Sequence, residues 1–148
     1  MPRNSRKHLR DHGRKRGQWQ VRVVRELVGR LADARTLVEL LKVVPDEETA
    51  ALLVGHLRWP RVFCCPHCGS MRDPRMYRRF VYEHRCRDCN QATSLALFRH
   101  ARLPLHAWVI AVWLIGCKRE SARLLGRTLG VGYETAWSMA KRIKAALG

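Results

Sequence analysis

Six cysteines stand in this chain of 148 residues, and four of them are paired. Cys65-Pro66-His67-Cys68-Gly69 is followed by Cys86-Arg87-Asp88-Cys89-Asn90, with 17 residues between Cys68 and Cys86. Two C-x-x-C pairs at this separation are the ligand pattern of a tetrahedral four-thiolate zinc site. Two cysteines three apart can both point inward from one tight turn while backbone N–H groups donate to their sulfurs. The residue after the second cysteine then tends to need positive φ, and Gly69 and Asn90 are the residue types that best tolerate it. The expectation is a structural Zn2+ held by Cys65, Cys68, Cys86 and Cys89, with no open coordination position. The competing reading is four unmetallated thiols. A redox C-x-x-C would normally occur once, beside a βαβ pattern, and no such pattern is present. Cys64 and Cys68 have the wrong spacing to replace Cys65 and Cys68. Cys117 falls in an apolar run and reads as an inert core thiol. His67 and His84 read as surface histidines rather than ligands.

The elements that must position this site differ in character along the chain. Residues 1–17 carry seven Lys and Arg and read as a basic disordered arm, one that can follow a phosphate backbone. Residues 18–58 read as helical. Val24, Leu27, Val28 and Leu31, then Leu37, Val38, Leu40 and Leu41, recur at helical spacing as far as Pro45. Asp46 suits a helix N-cap, with Glu47 and Glu48 in the first turn and Ala50, Leu53, Val54 and Leu57 as the apolar stripe. Residues 59–100 lose this periodicity. The β-prone stretch 76–84 lies between the cysteine pairs, as the hairpin of a zinc ribbon would. The fold class expected is therefore mainly α with a small β ribbon.

From residue 101 helical patterning returns. Pro104 opens a nearly all-apolar helix carrying Trp108, Val109, Val112, Trp113 and Ile115. Ser121 suits the N-cap of the next helix, with Leu124, Leu125 and Leu129 facing inward. Gly130-Val131-Gly132 breaks it, and a last helix follows with the stripe Ala136, Met139, Ala140, Ile143 and Leu147. A short helix, a glycine turn and a second helix make a helix-turn-helix. The small Gly126 lets the two helices approach closely. The last helix is then the recognition helix, and its outward residues Tyr133, Glu134, Thr135, Ser138, Lys141 and Arg142 are the candidate DNA contacts. An ordinary antiparallel helix pair serving only as core is the plainer alternative.

Charge narrows the partners and the chemistry. Lys and Arg total 29 against 12 Asp and Glu, a formal charge of +17, which suits a polyanion. After Asp88 the chain carries two carboxylates, Glu120 and Glu134. A metal-dependent phosphoryl-transfer centre needs several convergent acids, so no self-contained catalytic site is expected. The longest apolar run, residues 107–117, is shorter than the roughly 20 residues that span a bilayer. No secretory leader pattern opens the sequence. Cytoplasmic residence without membrane association is expected.

The ordered combination of motifs resembles the N-terminal part of bacterial insertion-sequence transposases of the ISXO type, in the DDE superfamily. Arg58-Trp59-Pro60 before the first cysteine pair, Leu103-Pro104-Leu105, Trp108, Ala111 and Leu114 carry the resemblance. So do Ser121, Leu129-Gly130-Val131, Tyr133, Thr135-Ala136-Trp137, Met139 and Arg142-Ile143. It covers about residues 46–148. The family usually has a Gly-Thr pair where residues 94–98 read Ser-Leu-Ala-Leu-Phe, and residues before 45 fall outside its pattern. The resemblance implies a ribbon and helix-turn-helix that recognise the terminal repeats of the element as double-stranded DNA, with a separate DDE core performing strand transfer. The expectation is a transposase truncated before that core, not itself an enzyme, partnered by a second copy or by full-length transposase. The alternative is a free-standing zinc-ribbon adaptor or transcriptional regulator that binds nucleic acid.

Overall fold

The computed structural model describes residues 4–78, 82–95 and 103–148. Side chains within 4–17, 76–78 and at 82 lie outside the description. The order of elements is α1 (Asn4–Leu31), α2 (Leu37–Val43), α3 (Glu47–Arg58), β1 (Arg75–Arg78), β2 (Tyr82–Arg85), β3 (Ala92–Ser94), α4 (Leu105–Val112), α5 (Ala122–Leu129) and α6 (Tyr133–Leu147). A π-helical turn, Trp113–Cys117, continues α4. The chain is thus mainly helical with a three-stranded antiparallel sheet in the order β1-β2-β3.

Two expectations about the first part need correcting. Residues from Asn4 onward belong to α1 rather than to a disordered arm. The physical reason is that Arg and Lys are good helix formers, and extending an existing helix costs far less than starting one. The stretch 18–44 is two helices, not one. α1 ends at Leu31, and Thr36 caps α2 by accepting from the Glu39 backbone N–H at 3.2 Å. Glu39 reaches back to accept from the Arg35 N–H at 2.6 Å, so both partners close the start of a short helix. The inward stripe read for α2 shrinks to Leu40 and the partly buried Leu37, because Val38 is 64% exposed and Leu41 stands at the surface.

One apolar core joins the two ends of the chain. Val23, Val24, Leu27 and Leu31 of α1 are buried with Val54 and Leu57 of α3, Val109 and Val112 of α4, and Met139 and Ile143 of α6. α1 packs against α3, α4, the π turn and α6. The approach is closest at Gly116, where a Cβ would sit 2.6 Å from Val28 Cγ2. The Trp113 indole N–H donates to the Ala34 carbonyl at 3.0 Å, and the Cys117 thiol donates to the Val28 carbonyl at 3.4 Å. Burial pushes the Cys117 thiol up, with Lys118 opposing weakly, which suits an unreactive thiol. The ribbon is therefore inserted between α3 and α4 of a single helical unit.

Glu47 fixes the two flanks of that insertion. Pro104 at the N-cap of α4 supplies no capping side chain. Glu47 replaces it from the first turn of α3, accepting from the Leu105 N–H at 2.8 Å and the His106 N–H at 2.7 Å. His106 Nε2 returns to the Val44 carbonyl at 2.7 Å. Glu47→Ala should lower the free energy of unfolding by about 1–2 kcal/mol, the usual cost of losing a cap. Urea denaturation of the metal-loaded protein measures it, and an unchanged midpoint would contradict the bridging role.

Candidate functional site

The four paired cysteines converge. Their sulfurs all lie within 4.8 Å of one another. Cys65 Sγ is 3.7 Å from Cys89 Sγ, and Cys68 Sγ is 3.6 Å from Cys86 Sγ. A tetrahedron of thiolates with metal–sulfur bonds of about 2.3 Å has edges of about 3.8 Å, so the cluster already has the size of a metal cage. Cys64 stands outside it, exposed.

The cage consists of two copies of one turn. In the first, Gly69 N–H donates to the Cys65 carbonyl at 2.9 Å and Cys65 N–H to the Ser70 carbonyl at 2.8 Å. In the second, Asn90 N–H donates to the Cys86 carbonyl at 3.0 Å and Cys86 N–H to the Gln91 carbonyl at 3.0 Å. The His67 and Asp88 N–H groups each lie 3.4 Å from the first sulfur of their turn. Gly69 has φ 76° and Asn90 φ 57°, the left-handed values that the sequence demands at those two places.

Electrostatics favour a cation at the centre. The backbone N–H groups of Cys89 and Asp88, against the effect of burial, draw the Cys86 thiol down to about 6. At Cys68 the Ser70 N–H pulls the thiol down, but burial and the neighbouring thiols outweigh it and push it up to about 12. The protein alone thus favours the thiolate at Cys86 and the neutral thiol at Cys68. A divalent cation allows all four to ionise.

Side chains around the cage tie its halves together, and the sequence reading missed them. Asp88 accepts from the Ser70 hydroxyl and from Arg72 Nη1, the latter at 2.6 Å. These two contacts hold the Asp88 carboxyl below its ordinary value. Arg87 Nε donates to the Asp73 carbonyl at 2.8 Å. An acid inside a cysteine turn of an acid-poor chain is the signal that was available. His84 is a further correction, since it is buried rather than at the surface. Its ring lies 5.0 Å from that of Trp59 and stacks on Phe63, beside Cys65 and Cys86. Burial, then the Arg58 charge, keeps His84 below the usual histidine range and hence neutral near pH 7.

The second candidate region is the pair α5 and α6. Ser121 accepts from the Leu124 N–H at 3.2 Å, and Gly130 ends α5 with φ 68°. A Cβ on Gly126 would meet Val131 O at 3.2 Å and Ala136 Cβ at 3.3 Å, so this glycine does permit the close approach. Leu125 is fully buried, whereas Leu124, expected inward, is 38% exposed. Ala136, Met139, Ala140 and Ile143 face the core. Tyr133, Glu134, Thr135, Lys141 and Arg142 are exposed and Ser138 is half-buried, all on the outer side of one helix. The outward list omitted Trp137, which is half exposed with Lys141 Nζ 5.0 Å from its ring centroid. Its position four residues from both Tyr133 and Lys141 already indicated this.

Known proteins add a family to this geometry. Residues 45–92 match the family described as "Transposase zinc-ribbon domain". That segment is similar to transposase zinc ribbons. An "Uncharacterized protein in transposable element ISH50" of Halobacterium salinarum (strain ATCC 700922 / JCM 11081 / NRC-1) is 29% identical over 115 residues, covering 72% of this chain. The alignment takes in 38% of that relative's own length. No solved structure matches. The resemblance of the sequence to insertion-sequence transposases therefore stands. Among the described residues, no helix is long and apolar enough to cross a membrane.

Because the cage is built from four thiols, serine at any one of Cys65, Cys68, Cys86 or Cys89 should abolish bound metal. Cys64→Ser and Cys117→Ser should each retain one ion per chain, counted by elemental analysis. Chelation should expose the strand amides to hydrogen exchange before those of α4–α6, since such small sites depend on metal binding worth about 10 kcal/mol or more. Simultaneous loss of protection in both would show instead that the helices fold only with the ribbon.

Proposed function

We propose that this chain is the DNA-recognition part of an insertion-sequence transposase, binding the terminal repeats of its element through α6 and the ribbon. The observation that carries the reading is the outer face of α6, cationic and aromatic, on a chain whose residues 45–92 match a transposase zinc-ribbon family. A recognition helix presents its early residues to base edges and its later cations to phosphates. Tyr133, Glu134 and Ser138 suit the first task, Lys141 and Arg142 the second. Thr135 lies at the flank of the face, and the +17 charge supplies long-range attraction.

The cation of the four-cysteine cage is zinc on this reading, and its role is structural. Four protein thiolates leave no coordination position for a reacting group, and the ion supplies folding energy to a segment with little core of its own. Residues 89–148 carry two carboxylates, too few to hold catalytic ions, so on this reading the α4–α6 part recognises DNA without catalysing strand transfer. Such a part occupies element ends without cutting them.

Gel-shift titration with duplexes from inverted repeats flanking the coding sequence tests this. Specific binding should persist in excess unrelated duplex. Lys141→Ala and Arg142→Ala should weaken binding to all sequences alike and reduce the salt slope by about one. Tyr133→Ala and Ser138→Ala should relax sequence preference instead. Binding that disappears with salt and shows no preference would favour the free-standing nucleic-acid adaptor.

A further inference from the structure

Trp137 stands 50% exposed midway along the outer face of α6, and Tyr133 one turn earlier is 57% exposed. Lys141, one turn later, places its ammonium 5.0 Å from the Trp137 ring centroid. Positions 133, 137 and 141 are spaced by four, so they form one stripe with steps of about 6 Å along the axis. Ala136, Met139, Ala140 and Ile143 fill the opposite side. The core therefore takes little from the exposed half of this indole, and so large an apolar ring held in water calls for another partner.

The rim of the stripe identifies that partner. Arg123 and Arg127 of α5 line a cleft together with Gly126, Gly130, Val131 and Tyr133. Lys141 lies beyond Trp137, exposed, and Glu134 is the one acid in α5 and α6. An apolar protein surface seated here would desolvate these cations without pairing them. A nucleic-acid duplex pairs with them along its two backbones and presents base edges between. The aliphatic group on those edges is the 5-methyl of thymine, in the major groove.

We propose that Trp137 is a specificity-determining residue that reads a thymine methyl in the major groove. The inference rests on the DNA-binding reading of α6. Lys141 has two parts in it: its ammonium fixes the indole through a cation–π contact and also neutralises a phosphate nearby. An aromatic ring with two rotatable bonds, already held on one side, loses little freedom when it meets the base.

The test uses the full chain with its metal bound. A randomised duplex pool is selected for binding, and each thymine of the enriched sequence is then replaced by deoxyuridine, which keeps base pairing and removes the methyl. At one or two thymines the replacement should weaken wild-type binding about fourfold, the worth of one buried methyl group. Trp137→Ala should bind thymine and uracil probes equally, with unchanged metal content and melting temperature. If Trp137→Ala does not fold, Trp137→Gln takes its place. Wild-type protein indifferent to uracil at every position overturns the proposal, as does a Trp137 variant that keeps the discrimination. An enriched sequence without methyl sensitivity defeats this inference alone, whereas no enriched sequence at all defeats the DNA-recognition reading together with it.

Discussion

A buried guanidinium holds the three parts of this molecule in register. Arg58, the last residue of α3, is 9% exposed. Its plane lies 3.9 Å over the Trp19 ring of α1 and 4.5 Å over Trp59, and its Nη1 donates to the Ser94 carbonyl of β3 at 3.1 Å. Its own carbonyl accepts from Arg22 of α1 at 2.9 Å. A charge this far from water is tolerated only where aromatic faces and oriented carbonyls replace its hydration. That requirement couples the position of the ribbon to that of α1. Since α1 also packs on α6, the ribbon and the outer face of α6 are positioned by the same helix. On the proposed function such a coupling matters, because two elements reading one stretch of DNA would forfeit contacts at one or the other if they were misaligned.

The order of elements along the chain makes this coupling possible. The ribbon leaves the helical unit at Trp59 and returns at Leu103, and both flanks are tied. Trp59 packs against the helical core and also against the small cluster of Phe63, Cys65 and Cys86 under the cage. Leu95, just past β3, is fully buried in the helical core, 3.7 Å from where a Cβ would stand on Gly55. Glu47 then joins the start of α3 to the start of α4. An insertion fastened at its entry and exit moves with its host, which a ribbon on a free linker would not do.

The sequence made local features legible where a rule with a short range governs them. The cysteine spacing, the left-handed φ at Gly69 and Asn90, the Ser121 and Asp46 caps, the glycine turn at 130–132 and the close contact at Gly126 each depend on a few neighbouring residues. What stayed hidden depends on partners far along the chain. Glu47 reads as a first-turn acid of its own helix, and no local rule reveals that it caps a helix 58 residues later. Arg58 reads as a surface cation until Trp19, Trp59 and Ser94 enclose it. His84 reads as a polar strand residue until Trp59 and Phe63 close over it. The split between α1 and α2 was visible in principle, since Thr36 and Glu39 have capping-box spacing, but the continuing leucines masked it.

Trp137 is the instructive intermediate case. Helical geometry alone sets it on the outer side of α6, yet tryptophan in a helix is read by habit as core. Net charge alone points to a polyanion but not to a face, because basic residues occur throughout this chain. Joining the two restricts the possibilities: a large aromatic surface left in water, on a helix whose neighbouring side chains are cationic, suits a partner that is anionic at its edges and apolar between them. Duplex DNA read through the major groove has that cross-section. The fold then serves one purpose at two ends: the four-thiolate cage gives a short segment with little core a fixed shape, and the helical core holds the α6 face at a fixed angle to it.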